Sequence, residues 1–141
     1  MWRTLKNVLY SLWTYADLSP DIRLRHEVQR TLCHRPCLNA QGWYHLHWQS
    51  NGIAQPISDF VYSQLQQYSG LDVGRIYPSD RLNEDLYLPL ICWFDWEISF
   101  CESFLETFGV SLDSEFNSNN FVTIHDLMLF LNQQLLSVSP S

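Results

Sequence analysis

Between Pro56 and Gly70, the residues Ile57, Phe60, Val61, Leu65 and Tyr68 recur every three or four positions with polar residues between them. That period puts an apolar stripe on one face of a helix and cannot be laid on a strand, whose faces alternate every two residues. Pro56 suits a first helical turn, where no amide partner is lost, and Gly70 suits the left-handed residue that closes a helix. The pattern returns along the chain. Trp2, Leu5, Val8, Leu9, Leu12 and Trp13, with Arg3, Lys6, Asn7 and Ser11 opposite, predict an amphipathic helix over 2–16. "SPD" at 19–21 reads as a helix start, with Ser19 as cap and Pro20 in the first turn. That helix should run to about Leu32, where "CHRPC" breaks it. The stretch "NAQGWYHLHWQSNG" carries alternation as well, but Asn39 as a cap and Ser50-Asn51-Gly52 as a close favour a helix. "LDVGRIYPSDRLNEDLYLP" reads as a long ordered loop. Phe94–Phe108 predicts a further helix stopped by Gly109, and Asp113–Asn120 a polar loop. Thr123 with Asp126 resembles a capping box, followed by the stripe Ile124, Leu127, Met128, Leu131 and Leu135. No segment makes a convincing strand, so the expected fold class is all-α.

With 46% hydrophobic and 15% aromatic residues, a chain of 141 can bury a substantial core, which argues against wholesale disorder. The densest apolar run, Leu86–Phe94, is interrupted by Pro89 and falls far short of the ~20 residues a membrane-spanning helix needs. Asn7 and Ser11 break any signal-like core near the start, so a soluble, cytoplasmic protein is expected. All eight Lys and Arg lie in residues 1–81, against six acids. Residues 82–141 hold nine acids and no Lys or Arg. Such a stretch repels nucleic acid and anionic membrane and attracts basic protein surfaces, so the expected partner is a protein with a basic face. Cys33, Cys37, Cys92 and Cys101, without a secretory signal, are expected as thiols.

From Ile57 to Leu135 the order of features resembles the acyl carrier protein family. A first helix ends in Gly70. A long loop carries "PSDRLNEDL", similar to that family's approach to its Asp-Leu turn. An acidic helix closes on "ETFGVSL", and a short acidic loop leads to "FVTIHDLMLFL", much like the start of the family's last helix. The resemblance implies a small antiparallel helical bundle over 55–136, an N-terminal helical extension over 1–54 and a tail over 137–141. It also implies that the second long helix docks partners. In that family a serine at the start of this helix carries the phosphopantetheine arm. Counting back from Phe108, that slot falls at or near Phe94, and no serine lies between Ser79 and Ser99; the gap from Asp85 to Phe108 is longer than the family's, so "YLPLICW" carries an insertion. A phenylalanine cannot carry the arm, so the shape of a carrier is expected without its chemistry and without a cofactor.

The spacing of Phe94, Ile98, Cys101, Leu105 and Phe108 predicts a core-facing stripe. Asp95, Ser99, Glu102 and Glu106, with Trp96, Glu97 and Phe100 beside them, then form an acidic and aromatic strip. Buried, its aromatics would pack under the extension. Exposed, they have the composition of an interface, and the expected partner-binding residues are Asp95, Trp96, Glu97, Phe100, Glu102 and Glu106. Cys33, His34, Cys37, His45 and His47 are conceivable metal ligands, but C-x3-C fits zinc spacing only loosely and no second close pair exists, so no metal is expected. Asp80, Arg81, Glu84 and Asp85 read as an arginine paired with turn-forming acids rather than as an acid–base pair. No glycine-rich phosphate loop or nucleophile motif is present, and no catalytic residue is expected. The function expected is non-catalytic protein binding, as an adaptor or assembly factor. The alternatives are a carrier using a displaced serine and a Cys/His protein dependent on metal or thiol.

Overall fold

The computed structural model describes residues 21–92, 96–112, 116 and 120–138, and over these the protein is all-α. The expected helix over 2–16 and the cap at Ser19 lie outside the described residues. Helix α1, Ile22–Leu32, is capped by Asp21, whose carboxylate accepts from the Leu24 amide at 3.0 Å. Asp and Ser cap about equally well, so the sequence alone does not decide between positions two residues apart. Helix α2, Ala40–Trp43, starts as read, with the Asn39 side chain accepting from the Gly42 amide at 2.8 Å. It then widens into a π-helical turn over Tyr44–Trp48, tightens into a 3-10 turn over Gln49–Asn51, and stops at left-handed Gly52.

Helix α3, Gln55–Ser69, matches its sequence signals, with Pro in the first turn and Gly70 in the left-handed region at φ 72°. A short helix α4, Leu88–Ile91, occupies part of the long loop. Helices α5, Trp96–Phe108, and α6, Ile124–Val138, complete the fold. At the head of α6, the Thr123 hydroxyl accepts from the Asp126 amide and the Asp126 carboxylate accepts from the Thr123 amide, each at 3.2 Å. This is the reciprocal capping box read from the sequence. Among the described residues the one extended pairing is a single antiparallel bridge between Arg81 and Thr123.

One hydrophobic core joins all these elements, and no gap in it marks the expected boundary after residue 54. Val28 and Leu32 of α1 and the fully buried Trp43 and Trp48 lie in the same core as Phe60, Phe100 and Leu131. The boundary itself is pinned by α6. Buried Asn132 accepts from the Ala54 amide at 3.0 Å and donates to the Gly52 carbonyl at 3.1 Å. Residues 22–54 therefore pack into the same core as the rest of the described chain.

The long loop is held from beneath. Arg35, in the "CHRPC" turn, makes a two-pronged pair with Asp80, 2.6 and 3.1 Å long, and its guanidinium lies 4.0 Å from the centre of the Tyr77 ring. Arg75 answers in the other direction, donating to the carbonyls of Cys33 and Arg35. Between these two arginines the chains touch backbone to backbone. The Leu38 amide donates to the Gly74 carbonyl at 3.2 Å, and a Cβ on Gly74 would sit 1.8 Å from the Leu38 oxygen. Only glycine lets the two segments cross so closely.

Candidate functional site

Helix α5 carries two apolar stripes that compete for the core. Helical spacing alone predicts Ile98, Cys101, Leu105 and Phe108 together with Phe94 as the inner stripe. The structure chooses Trp96, Phe100 and Phe104, with Phe108 and Cys101 at the margin. Phe60 of α3 decides the matter. Its ring meets Phe100, Phe104 and Phe108 edge to face, with centroids 5.2, 5.5 and 5.4 Å away. Phe116 stacks flat on Phe100 at 5.0 Å, and Trp96 meets Phe100 edge-on at 6.2 Å. Each aromatic removes more apolar area from water than an Ile or Leu, and such ring pairs add to that burial. The wider rings therefore take the inside.

This rotation corrects the expected strip. Trp96 is 3% exposed and Phe100 is fully buried, so neither can meet a partner. Asp95 and Phe94 lie outside the described residues. Glu97 is half-buried and engaged within the fold. Glu102 and Glu106 are exposed as expected. Beside them stand two residues expected in the core from their spacing, Ile98 at 64% exposure and Leu105 at 49%. At 100° per residue, Ile98, Glu102, Leu105 and Glu106 share one outward sector of α5. Cys101 flanks this sector. Partial burial, and then the carboxylates of Glu97 and Glu102, push its thiol up to about 11.

The other candidates resolve as structure. Arg81 donates to both oxygens of Asp85 at 3.1 Å and also to Glu84. Hydrogen bonds from the Arg81 side chain and amide hold the Asp85 carboxyl below its ordinary value, as an ion pair requires. Asp80 belongs instead to Arg35. The conceivable metal ligands separate. The Cys33 thiol donates to the Arg30 carbonyl, His45 pairs with Gln49 at 2.9 Å, and His47 packs against Tyr77 with ring centroids 5.6 Å apart. Among the described residues, no three His, Cys, Asp or Glu side chains gather as a metal site. Burial holds the His47 imidazole below its ordinary pKa, with Asp80 opposing the shift. Cys92 is pushed up to about 12, chiefly by burial.

Two features have no local signal in the sequence. Arg35 and Asp80 lie 45 residues apart, and nothing in their local spacing joins them. The π-helical turn likewise has no periodic signature distinct from an ordinary helix. Among the described residues, no helix is long and apolar enough to cross a membrane. No protein-family model matches the sequence, and neither curated proteins nor solved structures yield a match.

Proposed function

We propose that this chain is a non-catalytic protein-binding module, an adaptor or assembly factor, that docks a basic partner through the outer face of α5. The observation that carries the reading is the exposure of Ile98 and Leu105, one heptad apart, on the same sector as Glu102 and Glu106. An apolar centre bordered by charge is the anatomy of a docking surface. The charge has a consistent sign, because residues 82–141 contain nine acids and no Lys or Arg. The resemblance to acyl carrier proteins points to the same helix, since that family docks through its second long helix. The absence of any serine between Ser79 and Ser99, around the slot at or near Phe94, leaves the arm out of this reading.

The test begins with a partner captured by the parent protein and then measured against two variants. Reversing Glu102 and Glu106 to Lys should slow association and weaken its dependence on salt, because rim charges act mainly on encounter. Ile98→Asp with Leu105→Asp should speed dissociation and leave the melting temperature near the parent value. Unchanged binding by both folded variants refutes the docking face. A phosphopantetheine mass gained on Ser79, Ser99 or Ser103, after treatment with a phosphopantetheinyl transferase and coenzyme A, would establish the carrier alternative instead.

A further inference from the structure

The arginines of the described chain divide into two groups. Arg25, Arg35, Arg75 and Arg81 are held within the fold, by the Ile91 carbonyl, by Asp80, by Asp72, and by Glu84 with Asp85. Arg23 and Arg30 are exposed, a heptad apart on α1, and neither has an ion pair among the described residues. The inner side of α1 is set by Leu24, Val28 and Leu32, which pack into or against the core. At 100° per residue, the opposite sector holds Ile22, Arg23, His26 and Arg30, with Glu27 at its edge. All four are exposed, Ile22 at 63%. The outer face of α1 is thus basic, with one apolar residue at its N-terminal end.

We propose that the occupant of the α5 face is α1 of a second copy of this chain. The inference rests on the docking face argued above and names its partner. Charge complementarity favours it, because Glu102 and Glu106 also lack an ion pair among the described residues. Laid parallel, one register sets Ile22 beside Ile98, His26 beside Glu102 and Arg30 beside Glu106. The antiparallel pairing through His26 and Glu102 sets Arg30 beside Ile98 and Ile22 beside Glu106, which matches neither apolar nor charged partners. In the parallel register Arg30 finds the carboxylate that its own chain does not supply. His26 donates to Glu102 from a ring nitrogen whether or not the imidazole is charged.

The two faces differ, so the contact runs head to tail. Each pair then keeps one free face of each kind, and assembly continues until a ring closes or a chain grows. One helix against one helix is a small interface, so the association is weak and depends on concentration.

The test is the mass of the full chain in solution, by light scattering or sedimentation, from about 10 μM to about 1 mM. Expected is an average mass above that of one chain, rising with concentration and falling with added salt. Arg23→Glu with Arg30→Glu breaks only the α1 face, and Ile98→Asp with Leu105→Asp breaks only the α5 face. Each should weaken self-association about tenfold or more and leave the melting temperature near the parent value, since every replaced side chain is exposed. The two variants mixed should form pairs and nothing larger, because each supplies the face that the other lacks. A parent that stays single throughout this range overturns the proposal, as does either variant assembling like the parent or a mixture that forms no pairs. If a different protein then binds through Glu102 and Glu106, only the choice of partner falls. If folded α5 variants bind that protein like the parent, the docking face itself falls.

Discussion

Phe100→Ala tests the rotation of α5 on which the assignment of its outer face depends. Phe100 is fully buried and touches three rings, those of Phe60, Phe116 and Trp96. Truncating a buried Phe to Ala costs about 3–5 kcal/mol, through lost transfer energy and the cavity left behind. The ring pairs place this site in the upper part of that range, since each is worth about 0.5–1.5 kcal/mol beyond its buried area. A chain of this size has a total stability of about 7–20 kcal/mol. The variant should therefore fold but melt about 6–20 °C lower, at about 2–4 °C per kcal/mol. Ile98→Ala, on the opposite side of the same helix, should change stability by about 0.5 kcal/mol or less. Thermal melts followed by circular dichroism read both. If Phe100→Ala melts within about 2 °C of the parent while Ile98→Ala loses several times that, the helix faces the other way. Trp96 and Phe100 would then lie on the outer strip.

Gly74→Ala forces a Cβ to 1.8 Å from the Leu38 carbonyl oxygen, where both neighbours are backbone and neither can swing aside. It should cost about 3 kcal/mol or more and show as a large drop in urea midpoint; a midpoint near the parent value contradicts the close crossing. His47 has its folded pKa below the ordinary 6.5, so the unfolded chain binds more protons as pH falls. Stability should be full above about pH 6.5 and decline below it, and His47→Asn should flatten that limb in urea titrations at several pH values. Asp85, also depressed, acts in a separate window, because its contribution is lost only as pH falls below the ordinary carboxylate value of 3.8. Cys33 and Cys37 are exposed whereas Cys92 is buried with its thiol pushed up to about 12. Iodoacetamide at pH 8 should label the first two quickly and spare Cys92, read by peptide mass spectrometry; fast labelling of Cys92 contradicts its burial.

Local signals in the sequence place most of the helices. The Pro and Gly that bound α3 act on their own backbone, and so does the Thr123–Asp126 box, so short windows suffice to read them. How residues 22–54 join the rest is not legible in short windows, for a physical reason. Asn132 reaches back across 78 residues to the Ala54 amide, and Trp43 and Trp48 are buried in the common core. Composition can say that these tryptophans want burial, but not against which helix.

The outer face of α5 shows the same limit at closer range. Ile98–Leu105 and Trp96–Phe100–Phe104 are both acceptable helical stripes, offset by about half a turn, and periodicity cannot rank them. The ranking comes from Phe60, which lies 40 positions before Phe100 and offers its ring edge to edge-hungry aromatic faces on α5. Once the wider rings go inside, Ile98 and Leu105 must come out, because a single helix cannot bury both sectors against one neighbour. Their exposure is thus a consequence of aromatic packing, and the acids Glu102 and Glu106 share that sector by register alone. An exposed apolar pair costs solubility unless something covers it or charge borders it. In this chain the border is acidic and no described residue covers the pair, and on those two observations the proposed docking of a basic partner stands or falls with the charge-reversal test.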